Sequence, residues 1–152
     1  MANQSFSATI EAWARKVKDA EKFIFQRAAQ RLARELTDEV ERLVYDAPPA
    51  PTYPIRTGFL RASLRASNTE MPLAVLDNPG GSHEVDWGQI ELVINGSDID
   101  DVIYLGYTAR YGPHVHRGAN GQPPKPWVDL VAQRWQTIVS EVAGEVKAEA
   151  GL

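Results

Sequence analysis

The sequence predicts an α+β domain with a long N-terminal helix, a short helix, a small antiparallel sheet of about three or four strands, and a long C-terminal helix. Three observations predict it. Apolar residues recur at steps of three and four near both ends of the chain. Between them the pattern breaks into short apolar or alternating runs separated by Gly-, Pro- and Asp-rich turns. The length, 152 residues, suits one domain and suffices to bury roughly two-thirds of the unfolded surface.

Each element follows from its own residues. Over residues 5–45, Phe6, Ile10, Trp13, Val17, Ala20 and Ile24 fall on one helical face. Ala28, Leu32, Leu36, Val40 and Leu43 continue it, and no glycine or proline intervenes. Ser5 or Ser7 can cap the start. At 1.5 Å per residue, about 40 residues span roughly 60 Å, more than a small domain needs. The helix therefore bends, or part of it projects to meet another surface. Four prolines in "DAPPAPTYPIRTG" then remove backbone donors and force extended chain, a stiff linker over 46–56. "TGFLRASLRAS" predicts a short helix over 57–67, capped by Thr57, with Arg61 and Arg65 at i,i+4 spacing.

Residues 72–77, 85–95 and 102–111 predict three strands. Ile90, Leu92 and Ile94 alternate in the second, and β-branched and aromatic residues fill the third. "GPHVHRGANGQPPKP", residues 112–126, predicts a loop. From Pro126 a second long helix follows, with Trp127, Val131, Trp135, Ile138, Val142 and Val146 on one face. Trp127, Trp135 and Ile138 are its expected core residues. The domain thus divides into the helix 1–45, the linker 46–56, a central part 57–124 and the C-terminal helix 125–152.

Charge narrows the function. The formal net charge is −4. Residues 46–124 carry nine acids against five bases, an awkward surface for a phosphate backbone. There is no cysteine, so disulfides, thiolate metal sites and cysteine nucleophiles are excluded. No apolar run approaches the roughly 18 residues of a membrane span, and the first residues lack the order of a signal peptide. A protein made and kept in solution, away from membranes, is expected.

The residues that most invite chemistry are His114 and His116 in "YGPHVHRG". Read as extended chain, they point to one face, and His83 could join them as a third zinc ligand. There is no His-Glu-x-x-His helix. Read otherwise, they are imidazoles on a loop touching a neighbour. Asp98, Asp100 and Asp101 form a solvated turn rather than a calcium loop, which would need a central glycine and a later glutamate. No Gly-x-Ser-x-Gly elbow and no phosphate-cradling glycine loop occurs. No catalytic residue, metal or cofactor is expected. The reading from another class is a small metal-dependent hydrolase using His114 and His116.

Two segments combine into a resemblance. "PIRTGFLRASL" and "YGPHVHRGANGQPPKPWVDLVAQRW" resemble the head–tail joining or tail-completion proteins of long-tailed phages and phage-like gene transfer agents. Pro54, Thr57, Gly58, Leu60, Arg61 and Ser63 match a Pro-x-x-Thr-Gly-x-Leu-Arg-x-Ser motif. Tyr111, Val115 and Gly118 match a Tyr-x-x-x-Val-Glu-x-Gly turn, and Pro126 and Trp127 stand where a Pro-Phe pair opens the last helix. His116 replaces a frequent glutamate and Arg56 a frequent aspartate. The resemblance implies a structural virion protein, not an enzyme, assembled in the bacterial host cytoplasm. It implies a homo-oligomeric ring, six-fold or alternatively twelve-fold, that joins a portal, adaptor or head-closure complex to the tail tube or its terminator. DNA would be passing cargo only. A tail terminator capping the tube is the alternative position. Arg56, Arg61, Arg65, His114, His116 and Arg117 are the expected subunit or partner contacts.

Overall fold

A computed structural model of the chain describes residues 6–46, 57–119 and 121–152. Ser5 and the linker over 47–56, including Pro54 and Arg56, lie outside the described residues. The architecture is α+β: helices around a small antiparallel sheet, with a long helix at each end.

Helix α1 runs from Phe6 to Val40 and ends in one wider, π-helical turn, Glu41–Tyr45. Its 35 residues span about 52 Å. Short elements follow: α2 (Phe59–Ala62), β1 (Leu64–Ser67), α3 (Trp87–Asn95), β2 (Tyr104–Tyr107), α4 (Gly112–Arg117), α5 (Trp127–Ala132) and α6 (Trp135–Ala150).

Two apolar clusters share α1. In the first, Ala29, Ala33, Leu36 and Val40 pack with Leu60, Leu64, Ile90, Ile94, Trp127 and Val131. In the second, Ala20 and Ala28 pack against Ile138, Val142 and Val146 of α6. The alanines matter because a small side chain lets two helix backbones approach. The α1–α6 contact is flanked by pairs from Arg27 to Glu149 (3.0 Å), from Arg31 to Glu145 (2.9 Å) and from Arg134 to Glu35. Their order shows that α6 runs antiparallel to α1. Exposed pairs of this kind contribute only about 0–1 kcal/mol each, so apolar burial carries the contact.

Four sequence expectations need correction. The run 85–95 is a helix, not a strand. Asp86 caps α3 by accepting from the Gln89 N–H (3.0 Å), and Ile90 and Ile94, four apart, are its buried face while Leu92 stays exposed. The alternation of Ile90, Leu92 and Ile94 therefore misleads. Second, the sheet has two strands. β1 pairs antiparallel with β2 in the register Leu64↔Tyr107 to Ser67↔Tyr104. Gln89 ends it on one side: its side chain accepts from the Ala66 N–H (3.0 Å) and donates to the Ala66 carbonyl (2.7 Å), standing in for a third strand. On the other side, residues 72–77 contribute a single parallel bridge, Leu76↔Ala109.

Third, the short helix closes at Ala62, so Arg65 belongs to β1. Fourth, the C-terminal helix is two helices. A turn at Gln133 and Arg134 separates α5, whose Trp127 and Val131 enter the first cluster, from α6, whose Ile138 enters the second. Trp127 and Ile138 are buried as expected, but Trp135 only partly.

Trp127→Ala is expected to cost about 3–5 kcal/mol in chemical denaturation, and Trp135→Ala clearly less. Equal losses would contradict the division into α5 and α6. Gly144 sits mid-α6, exposed, with open space where a Cβ would go. Gly144→Ala is expected to stabilise by about 0.5–1 kcal/mol in the same measurement.

Candidate functional site

Leu60 of the first motif and Tyr111 and Trp127 of the second share one apolar cluster with Leu105 and Tyr107 of β2. Gly58 adopts a left-handed φ of 77°, and a Cβ there would lie 2.9 Å from the His83 carbonyl oxygen. Only glycine suits the position. Thr57 accepts from the Phe59 N–H (3.2 Å) and from Asn78 Nδ2 (3.0 Å), so it both starts α2 and holds the 78–83 loop. Leu60 is buried, and its Cδ1 would be 3.3 Å from a Cβ on Gly112, which ties the first motif to α4. Phe59 lies against Tyr111, ring centroids 6.4 Å apart.

α4 replaces the loop expected over 112–126. Pro113 in its first turn and Gly118 just past its end are the two punctuation marks of a helix. Gly118 has φ 86°, and a Cβ there would lie 2.9 Å from both the Gln122 carbonyl oxygen and Pro124 N. The chain turns back so that the Lys125 N–H donates to the Val115 carbonyl (3.2 Å). Pro126 then delivers Trp127 beneath α4.

The helical form of 112–117 overturns the expectation of two histidines on one face. Residues two apart on a helix point roughly 200° apart. His114 is exposed, while His116 turns inward and meets the Trp127 ring edge-on, 5.3 Å between centroids. His83 is elsewhere, packed on Phe59 with Nε2 2.6 Å from the Gly80 carbonyl oxygen. Among the described residues, no three His, Cys, Asp or Glu side chains are placed to hold a metal ion.

The arginines also divide. Arg61 pairs with Glu41, lies over the Tyr45 ring at 5.0 Å, and is held further in its charged form by that carboxylate. Arg65 donates to the Ala62 and Leu64 carbonyls, both at 2.8 Å. Both guanidinium groups are engaged within the chain. Arg117 and His114 are exposed and available to a partner. Asp86 caps α3, and Glu91 lies 3.5 Å from Arg34.

What sequence reasoning missed is a groove of about 360 Å³ beside α4, lined by Leu36, Met71, Leu105, Tyr107, His116 and Trp127, among others. Its lining is mainly apolar. Among the described residues, His116 Nε2 is buried in this groove without a hydrogen-bond partner, while the buried Tyr107 Oη and Trp127 Nε1 face each other in a poorly aligned contact that still lowers the phenol's pKa. Asp129 Oδ1 is the nearest acid to His116 Nε2, at 3.8 Å, beyond hydrogen-bond reach. The Tyr107 and Trp127 rings meet edge-on with centroids 5.2 Å apart. Burial pushes the Tyr107 phenol pKa well above its ordinary value, and the indole beside it draws it back only in part. Tyr111 is likewise pushed up to about 12 by burial, and Tyr45 is raised for the same reason.

No protein-family model, curated protein or solved structure matches this chain. Among the described residues, no helix is long and apolar enough to cross a membrane.

The phenol shifts have a measurable consequence. A raised phenol pKa means that the folded state favours the neutral form. That preference stabilises the fold fully below the unfolded value of about 10, and it is lost as pH rises through the folded value. In an alkaline titration followed by tyrosinate absorbance, Tyr45, Tyr107 and Tyr111 are expected to ionise late. Their signal should appear with unfolding, and all five tyrosines titrating together near pH ~10 in folded protein would contradict the burial described.

Proposed function

We propose that the chain is a structural subunit of a ring at the head–tail junction of a long-tailed phage or phage-like particle. It joins the portal side to the tail tube around the DNA channel. One observation carries the reading: the two motif segments, separated by the 46 residues between Leu64 and Tyr111, pack against each other. Phe59 and Leu60 meet Tyr111 and Gly112, Thr57 and Gly58 hold the neighbouring 78–83 loop, and Gly118 turns the chain so that Trp127 joins the same cluster. Residues that match one family pattern thus build one structural unit, and the glycines among them occupy conformations only glycine suits.

The geometry favours this reading over the hydrolase. His114 and His116 diverge, so they supply no paired ligands for a catalytic metal. The groove beside them offers mainly apolar walls, a feature of a contact surface rather than of a metal-dependent active site. The acidic central part of the chain suits a wall past which DNA must slide without sticking. A ring is the assembly that such a junction requires, because unlike surfaces of successive copies must meet and close. Six-fold symmetry matches the tail tube and twelve-fold the portal.

The test is imaging of particle necks by electron microscopy. Density for this chain as a closed ring on the head–tail axis is expected. Particles lacking it should accumulate as full heads beside finished free tails. Tails of uncontrolled length would instead move the chain to the terminator position, and a lone copy away from the axis would overturn the ring.

A further inference from the structure

We propose that the outer edge of β2 docks an extended segment of a partner protein, which joins the sheet as a third strand and sets an acidic side chain against Arg117. This docking goes beyond the ring reading and stands without it.

The open edge follows from the register. In an antiparallel pair, backbone groups point toward the partner strand at every second residue and away from it at the residues between. On β1, the Ala66 N–H and carbonyl point away from β2, because both are bonded to Gln89. Leu105 stands opposite Ala66, so its own N–H and carbonyl point away from β1, and those of Tyr107, two residues on, do the same. The end of the strand agrees with this phase: the Thr108 N–H donates to the Ser63 carbonyl (2.9 Å). Among the described residues, none bonds the N–H or carbonyl of Leu105 or Tyr107 on the outer side. The Leu76↔Ala109 bridge uses the Thr108 carbonyl and the Arg110 N–H, past the end of β2. The two edges of the sheet are thus unlike. Gln89 closes one, and four backbone groups stay open on the other.

An edge with unpaired backbone groups is a template for another extended chain. Here the backbone is within reach of one. All of β2 is partly exposed, including Gly106, which has no side chain to account for the exposure. A Cβ on Gly106 would lie 3.1 Å from both Met71 Sδ and the Pro72 carbonyl oxygen, so that face is covered and the exposed backbone is at the edge. The groove runs along this edge and is lined by Leu105, Gly106 and Tyr107. Successive strand residues face opposite ways. Met71 and Pro72 therefore wall the groove on the Gly106 face, and Trp127, which meets the Tyr107 ring, walls it on the other. Three residues at roughly 3.4 Å each give about 10 Å of edge, enough for ladder bonds to two residues of an incoming strand.

The walls set the chemistry of the occupant. Their mainly apolar character suits apolar side chains, and β-branched ones fit a strand best. Arg117 is exposed at the rim, and no acid is among the lining residues. An acid on the incoming strand gives that guanidinium a partner. The β2 edge of a second copy fits poorly. It is recessed in the same way between α4 and Met71, and two recessed edges do not meet.

The experiment follows amide hydrogen exchange by NMR on the full chain. In the free protein, the Leu105 and Tyr107 N–H groups are expected to exchange about tenfold or more faster than those of Tyr104 and Gly106, which face β1. The probe is a capped peptide of alternating valine and threonine with a glutamate at each end. Millimolar binding that slows exchange at Leu105 and Tyr107 is expected. The same peptide N-methylated throughout its centre keeps its apolar side chains but loses its donors, and should bind about tenfold more weakly. Arg117→Ala, or lysine in place of the two glutamates, should weaken binding severalfold. Slow exchange at Leu105 and Tyr107 in the free monomer, no binding at ~5 mM peptide, or equal binding of the methylated peptide would overturn the docking. Protection of the same two amides that grows with protein concentration alone, matched by association in sedimentation, would give the edge to a second copy and overturn the partner strand.

Discussion

The burial of Trp127 is the constraint on which the rest depends. Its indole fills the space between α1, β2 and α4 and is the largest fully buried side chain among the described residues. Full burial of such a ring stabilises the fold by about 3 kcal/mol or more, while an unpartnered buried N–H costs about 1–3 kcal/mol. The first effect outweighs the second, so the domain tolerates an N–H whose nearest acceptor, the Tyr107 oxygen, is poorly aligned. The same side chain is thus a core residue on one face and a wall of the groove on the other. That dual position couples the candidate site to stability and explains why Pro126 and Gly118, which deliver it, occupy such restricted backbone.

α1 is the second organising element. Leu32 touches both apolar clusters, and the helix links them through a change of face. Near its start Ala20, Ile24 and Ala28 face α6. Farther along, Ala29, Ala33, Leu36 and Val40 face the sheet and α5. The apolar stripe turns because the period of contact drifts around the helix over its length. A helix serving two partners in series must be long, and the turns before Ala20 exceed even that need. Gln26 and Gln30 fix the remaining neighbour by donating to the Ser97 carbonyl (2.9 Å) and to Asn95 Oδ1 (2.8 Å), which holds the end of α3.

Periodicity made α1, the C-terminal helical region and the apolar character of 102–107 legible in the sequence. It failed where side chains override the pattern. Residues 85–95 carry an alternation that a strand and a helix can both claim, and the deciding signal was the Asp86–Gln89 spacing of a helix start. Gln89 then does something no periodicity records: it bonds both backbone groups of Ala66 and removes the place of a third strand. The proline- and glycine-rich 112–126 segment concealed α4 because the same residues punctuate helices and loops. The Trp127 side chain was legible as core, but the groove was not. It is built by residues from α1, the 71–72 segment, β2, α4 and α5, and only packing brings them to one place.

The exchange at position 116 can now be placed physically. In the pattern the chain resembles, a glutamate often stands there. In this fold, His116 turns toward α5, where Asp129 Oδ1 lies 3.8 Å from Nε2. A glutamate at 116 would set two carboxylates side by side next to an indole, a costly arrangement in a half-buried site. Histidine avoids that repulsion and offers a nitrogen able to accept or donate. The exchange of an acid for an imidazole is therefore compatible with the acid carried by α5. It keeps the groove hydrogen-bonding without making it anionic. With Arg117 at the rim and apolar walls behind it, the groove stays distinct from the acidic character of residues 46–124. The proposed ring subunit, which would repel DNA with one part of its surface and grip a neighbour with another, would need that separation.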